Sequence, residues 1–104
     1  MPQFDLHENR NQKTKGLIPY LLDIQSDLLA DLATSVVIPV CLAGTATRGM
    51  TRLTSKVEID GQSYLLLTPQ LASIPRKELG KTVGNLSNNR SEIVGAVDFL
   101  LAGI

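Results

Sequence analysis

The chain has 104 residues, 43% of them hydrophobic, and ten Lys+Arg balance ten Asp+Glu for a formal net charge of zero. That is the size of one domain, taken as 1–104, without the basic surplus by which a protein grips phosphates. A single cysteine, Cys41, excludes an intrachain disulfide and fits a reducing compartment. Met1–Arg10 lacks the charged-then-apolar order of a signal peptide, and no apolar run nears the roughly 20 residues of a membrane span, so a soluble cytoplasmic protein is expected.

In chain order, Gln3 to His7 alternates Phe4 and Leu6 against Gln3, Asp5 and His7, which predicts a half-buried strand. Glu8 to Gly16 is polar throughout and reads as an exposed loop. Leu17 to Ile24 is apolar apart from Asp23, and Pro19 within it predicts an edge strand or a bulge. Gln25-Ser26-Asp27 interrupts the run, and Leu28 to Leu32 fits a short helical turn capped by Ser26 or Asp27. Ser35 to Leu42 is the next strand, and Gly44 to Thr54, with Arg48, Gly49 and Arg52, is loop-like.

Asp60-Gly61 is the clearest local signal, because a two-residue type I′ turn needs positive φ at both central positions. Ile59 then faces Gln62, and Val57, Ile59, Tyr64 and Leu66 share one face. Leu65 and Leu67 fall on the other face, which predicts a central second strand. Gln70 to Ile74 reads as a short strand ended by Pro75, and Arg76 to Leu86 as mixed, with Gly80 and Gly84 as turn points. Asn88 to Ala102 is predicted as a helix, with Ser87 as N-cap, a stripe of Ile93, Val97, Leu100 and Leu101, and Gly103 as its left-handed terminator. The pattern is mostly antiparallel β, a small barrel or paired sheets, with one C-terminal helix. A domain this small buries under about 70% of its unfolded surface, so dimerisation would add stability.

The residues offer little catalytic chemistry. His7 is the sole histidine, and on a short strand it is read as a surface or hydrogen-bonded side chain. Cys41, at the end of an apolar strand, is read as a small buried hydrophobe. No Cys/His spacing suits a metal, and no glycine-rich loop suits a phosphate, so no cofactor is expected. Phe4, Tyr20, Tyr64 and Phe99 are too dispersed for a base-stacking platform. The chain stays apolar through Phe99-Leu100-Leu101-Ala102-Gly103-Ile104. Either Ile104 folds back on the last turn or an apolar tip is held out for a partner.

Four strings, Asp23-Ile24-Gln25-Ser26-Asp27, Val37-Ile38-Pro39, Leu71-Ala72-Ser73-Ile74-Pro75 and the closing helix ending Gly103-Ile104, together resemble the CcdB family of toxins. The resemblance implies an SH3-like barrel of antiparallel strands with a C-terminal helix, assembled as a two-fold homodimer. It implies a non-enzymatic toxin of a type II toxin–antitoxin system that binds the A subunit of DNA gyrase and traps the cleaved DNA–gyrase complex. A CcdA-like antitoxin would neutralise it, and the pair would repress its own operon, so DNA is met only through the antitoxin complex.

By position, the family's gyrase contacts fall on Ala102, Gly103 and Ile104 at the helix tip, with Gln3, Phe4, Ser26, Leu28 and Asp98 nearby. In the antitoxin-binding regions, Arg10, Lys13, Lys15, Arg48 and Arg52 would pair with an acidic tail or serve as solvated loop charge. The best-known members carry tryptophan where this chain has Ala102, and losing such an anchor typically costs about 2 kcal/mol or more. Two alternatives follow: a MazF/Kid-like endoribonuclease, which shares the barrel, and a non-toxic relative that binds only the antitoxin.

Overall fold

The computed structural model describes residues 3–43 and 53–103. The expected loop Gly44 to Thr54, with Arg48 and Arg52, thus lies largely outside the described residues, as does Ile104. The strands are β1 (Asp5–Asn9), β2 (Tyr20–Asp23), β3 (Thr34–Leu42), β4 (Thr54–Ile59), β5 (Gln62–Leu67), β6 (Ala72–Pro75) and β7 (Leu79–Asn85), followed by the helix α1 (Arg90–Ala102). Short 3-10 turns occupy Asp27–Leu29, Thr68–Gln70, Arg76–Glu78 and Ser87–Asn89. The seven strands form one antiparallel sheet in the order β4-β5-β3-β2-β1-β7, and β6 pairs with the first half of β3.

The β4–β5 hairpin follows from its turn. Asp60 (φ 52°) and Gly61 (φ 80°) are both left-handed, and Ile59 pairs with Gln62. The type I′ turn sets the register, so Val57 lies opposite Tyr64, and β5 is central, between β4 and β3. Tyr64 meets Tyr20 edge-on, with ring centroids 5.4 Å apart.

β3 changes partners along its length. Its first residues, Thr34 to Val37, pair with Pro75 to Ala72 of β6, and its last, Val40 to Leu42, pair with Leu66 to Tyr64 of β5. Pro39 falls between the two stretches. The Ile24 N–H donates to Val36 O at 3.1 Å, and the Ala43 N–H donates to Ser63 O at 3.0 Å. Antiparallel alternation from these bonds turns the backbone of residue 39 away from β2, towards the end of β5. The donor a proline lacks is therefore one that neither ladder uses.

Three expectations are corrected. Pro19 makes neither an edge nor a bulge: β2 starts just after it, at Tyr20, and lies between β1 and β3. The first strand is shifted to Asp5–Asn9 and is buried on both faces, with Asp5, Leu6, His7 and Asn9 all enclosed. Arg76 to Leu86 is largely a strand, β7, which pairs with β1 through two register shifts. Gly80 is a close-approach residue within that strand, since a Cβ there would lie 2.8 Å from the Glu8 carbonyl oxygen.

The main core gathers Phe4, Leu6, Leu22, Ile38, Val40, Val57, Leu66 and Ile93. A second, smaller cluster of Leu21, Val37 and Leu79 lies on the opposite sheet face, as strand alternation from Leu22 and Ile38 requires. The helix packs against β4 and the Thr68–Gln70 turn. Its fully buried residues are Ile93 and Ala96, while Leu101 is 77% exposed, so the predicted stripe is only partly inward. Ser87 belongs to a 3-10 turn rather than capping α1, and its N–H donates to Asn85 Oδ1 at 2.8 Å. Gly103 ends the helix in the left-handed region (φ 74°), as predicted, and its N–H donates to Phe99 O.

Candidate interaction surfaces

The residues singled out for partner binding fall into separate groups. Gln3, Phe4, Ser26 and Leu28 surround the end of β2. Gln3 Nε2 donates to Ile24 O at 3.0 Å, and the Phe4 N–H donates to Asp23 O at 2.7 Å. Ser26 caps the Asp27–Leu29 turn, its hydroxyl accepting from the Leu28 N–H. Leu28 is 94% exposed. Phe4 is buried and left-handed (φ 71°), with the Arg90 guanidinium 5.5 Å from its ring centroid. Arg90 Nη1 also donates to Gln3 Oε1.

The second group sits at the far end of α1. Asp98, Leu101, Ala102 and Gly103 are exposed there. Arg90 and Ala102 are the first and last residues of the helix, which at 1.5 Å per residue places the tip about 18 Å from the Phe4 platform. The third group, Arg10, Lys13 and Lys15, is exposed around the turn that follows β1. Beside it an open groove of about 240 Å³ is lined by the apolar Ile18, Leu21, Pro39 and Ile74 together with Asn9, Asn11, Thr14, Gln70 and Glu78.

A buried polar network that no sequence motif marks joins β2, β3 and the turn after β6. Asp23, 2% exposed, accepts from Ser35 Oγ at 2.8 Å and from the Gln25 N–H at 3.0 Å. Arg76 Nη1 approaches its other oxygen at 3.9 Å. Arg76 Nε donates to Leu32 O at 2.6 Å, Nη2 to Leu29 O at 3.2 Å, and the Arg76 N–H to Ala33 O at 2.9 Å. The available signal was Asp23 itself, a lone acid in an apolar run, because a buried carboxylate demands partners.

His7 is buried rather than at the surface, and it is hydrogen-bonded: Nδ1 lies 3.2 Å from Gly80 O and 3.4 Å from Thr82 Oγ1. The carbonyl can only accept, so Nδ1 carries the proton in this pairing. Cys41 is buried, as read from its apolar strand. Burial, a hydrogen bond with Tyr64 and the charges of Tyr64, Asp60 and Glu8 raise the Tyr20 phenol above its ordinary 10.0. Among the described residues no group of His, Cys, Asp or Glu is arranged to hold a metal, and no helix is long and apolar enough to cross a membrane.

A seven-stranded antiparallel sheet with one closing helix defines a MazF/CcdB-like toxin fold of the SH3-like barrel type. The chain is similar to the Mycobacterium tuberculosis toxin MazF-mt6, at 16% identity and a TM-score of 0.74, covering 93% of this chain and 95% of that one. It is also similar to an endoribonuclease solved with its cognate antitoxin from mycobacterial species, at 15% identity and a TM-score of 0.73, covering 97% and 94%. At such identities the likeness shows the fold. Residues 3–103 match the family described as CcdB protein, and the chain belongs to that family. Membership supports a toxin of the toxin–antitoxin kind.

Proposed function

We propose that this protein is a gyrase poison: a two-fold homodimer, built from a single 1–104 domain, that binds the A subunit of DNA gyrase and traps the cleaved DNA–gyrase complex. The observation that carries the reading is the end of α1, where Leu101, Ala102 and Gly103 are exposed beyond the part of the helix that packs. An apolar, exposed tip on a rigid helix suits a partner pocket. In a two-fold dimer two such tips would present one wedge. Asp98 would flank it and Ile104 would extend it, while Gln3, Ser26 and Leu28, with Phe4 behind Gln3, would make a second, separate contact at the other end of α1. Gly103 and Ile104 would then supply contact that Ala102 cannot.

A CcdA-like antitoxin is the second partner in this reading. Arg10, Lys13 and Lys15 beside the partly apolar groove suit an acidic, partly apolar peptide, and Arg48 and Arg52 would add charge. The endoribonuclease relative solved with its cognate antitoxin supports a partner of this kind. Repression of the operon would follow from that complex, in the cytoplasm. No catalysis is assigned. His7, 1% exposed and engaged at Gly80, is poorly placed to move a proton on a bound RNA.

The test is trapping of cleaved DNA by purified gyrase and ATP, with the full chain beside a variant truncated after Leu101. Linear DNA with the full chain alone is expected. Trapping by the folded truncation would refute the assignment of the tip. RNA cleavage that co-purifies with the protein, without DNA trapping, would replace this reading by the endoribonuclease one.

A further inference from the structure

The segment Ser26–Thr34 joins β2 to β3 and displays three leucines: Leu28 at 94% exposure, Leu29 at 46% and Leu32 at 49%. Exposed leucines on a connecting loop are ordinarily a liability, and a mobile loop would pay ordering entropy on binding. This loop is held instead. Four of its carbonyls are claimed from outside the segment: Leu29 O and Leu32 O by the Arg76 guanidinium, Ala33 O by the Arg76 N–H, and Thr34 O by Gln25 Nε2 at 3.1 Å. Inside the segment, Leu29 N–H donates to Ser26 O and Leu32 N–H to Leu29 O. Behind the guanidinium stands Asp23, buried and fixed by Ser35 and Gln25.

From this geometry we infer that Arg76 is a positioning residue, which holds Leu28, Leu29 and Leu32 as one rigid ridge presented to the A subunit of gyrase. The inference rests on the gyrase reading above and extends it to side chains that the tip does not include. The segment carries Asp27 and Asp31 and no Lys or Arg between Gln25 and Thr34. The complementary surface is therefore apolar with a basic rim. A planar fork suits this task, because Nε, Nη2 and Nη1 reach Leu32 O, Leu29 O and Asp23 in three fixed directions, whereas an ammonium gathers its three donors on one nitrogen at the end of a flexible stem.

The test uses the full chain and the purified A subunit of gyrase. Arg76→Lys keeps a cation opposite Asp23 and removes the fork. The double variant Asp23→Asn with Arg76→Met removes both charges, so that no lone charge is stranded in the interior. Each is measured for amide exchange and for binding to the purified A subunit of gyrase, alone and combined with Leu28→Ala. Arg76→Lys is expected to speed exchange at Leu29 and Leu32 while leaving Leu22 and Ile38 protected. It is expected to weaken binding by roughly tenfold through the returned loop entropy, and by far less once Leu28 is already Ala. Unchanged exchange, or the same loss of affinity in both backgrounds, would overturn the inference while leaving the gyrase reading intact. A wild-type chain that does not bind the A subunit of gyrase, with exchange at the ridge still released by Arg76→Lys, would overturn the gyrase reading and uphold the positioning role.

Discussion

Phe4 is a sharp place to separate folding from binding. Its ring is 3% exposed within the main core, and its backbone is left-handed at φ 71°. Replacing a buried Phe by Ala costs about 3–5 kcal/mol, a large share of the roughly 5–15 kcal/mol that holds a domain together. Phe4→Ala keeps the left-handed penalty of about 1–2 kcal/mol, whereas Phe4→Gly escapes it. Glycine gives back about 0.5–1 kcal/mol in unfolded-chain entropy. The net expectation is that Phe4→Gly is more stable than Phe4→Ala by about 0.5–1 kcal/mol, the reverse of the order in a regular helix or strand. Urea unfolding followed by far-ultraviolet circular dichroism measures all three proteins. A Phe4→Ala variant with the wild-type midpoint and no DNA trapping would refute the reasoning, because the ring would then serve the partner and not the core. Phe4→Ala more stable than Phe4→Gly would refute the backbone part alone.

Other outcomes follow from single sites. Gly80→Ala places a Cβ 2.8 Å from the Glu8 carbonyl oxygen and should cost about 1–3 kcal/mol, whereas Gly84→Ala meets nothing within 4 Å and should be near neutral. Equal losses in urea midpoints would contradict the close approach. Leu101→Ser, at a residue 77% exposed, should change stability by no more than about 0.5 kcal/mol and still reduce DNA trapping; a large loss of stability would place Leu101 in packing instead. Because the Tyr20 phenol is raised above 10.0 in the folded chain, the fold favours its protonated form. That contribution is complete below the unfolded value near 10 and is lost as pH rises through the folded value. Stability should therefore fall at strongly alkaline pH, and Tyr20→Phe should remove that part of the fall, as read from unfolding midpoints across the alkaline range.

The parts of the fold legible in the sequence are those in which a local signal is also the structural cause. Asp60-Gly61 both suggests and makes the turn, and Gly103 does the same for the end of α1. Ser26 was readable as a cap for the same reason. β7 was hidden because Lys81 to Asn85 is exposed along its length, so no alternation marks it, and its two glycines imitate turns. Phe4 was misplaced because a simple two-residue period put it inside the strand it precedes. The stripe on α1 misled at Leu101, since the helix outruns the surface beneath it. The Asp23–Arg76 network was invisible because its members come from β2, β3 and the turn after β6 and meet only in space. The apolar run from Phe99 to Ile104 marks the end of α1 in the sequence, whereas the assignment of that tip and of the loop charges to partners comes from the family resemblance and not from any periodicity.

Pro39 carries a consequence for how this sheet avoids error. β5 and β6 approach the same side of β3 from opposite ends, and a slip in either would let it grow at the other's expense. A residue with no N–H at the meeting point acts as a buffer stop, because a strand sliding past it finds no donor to reward the move. The two neighbours are thereby kept to their own lengths without any bulky side chain between them.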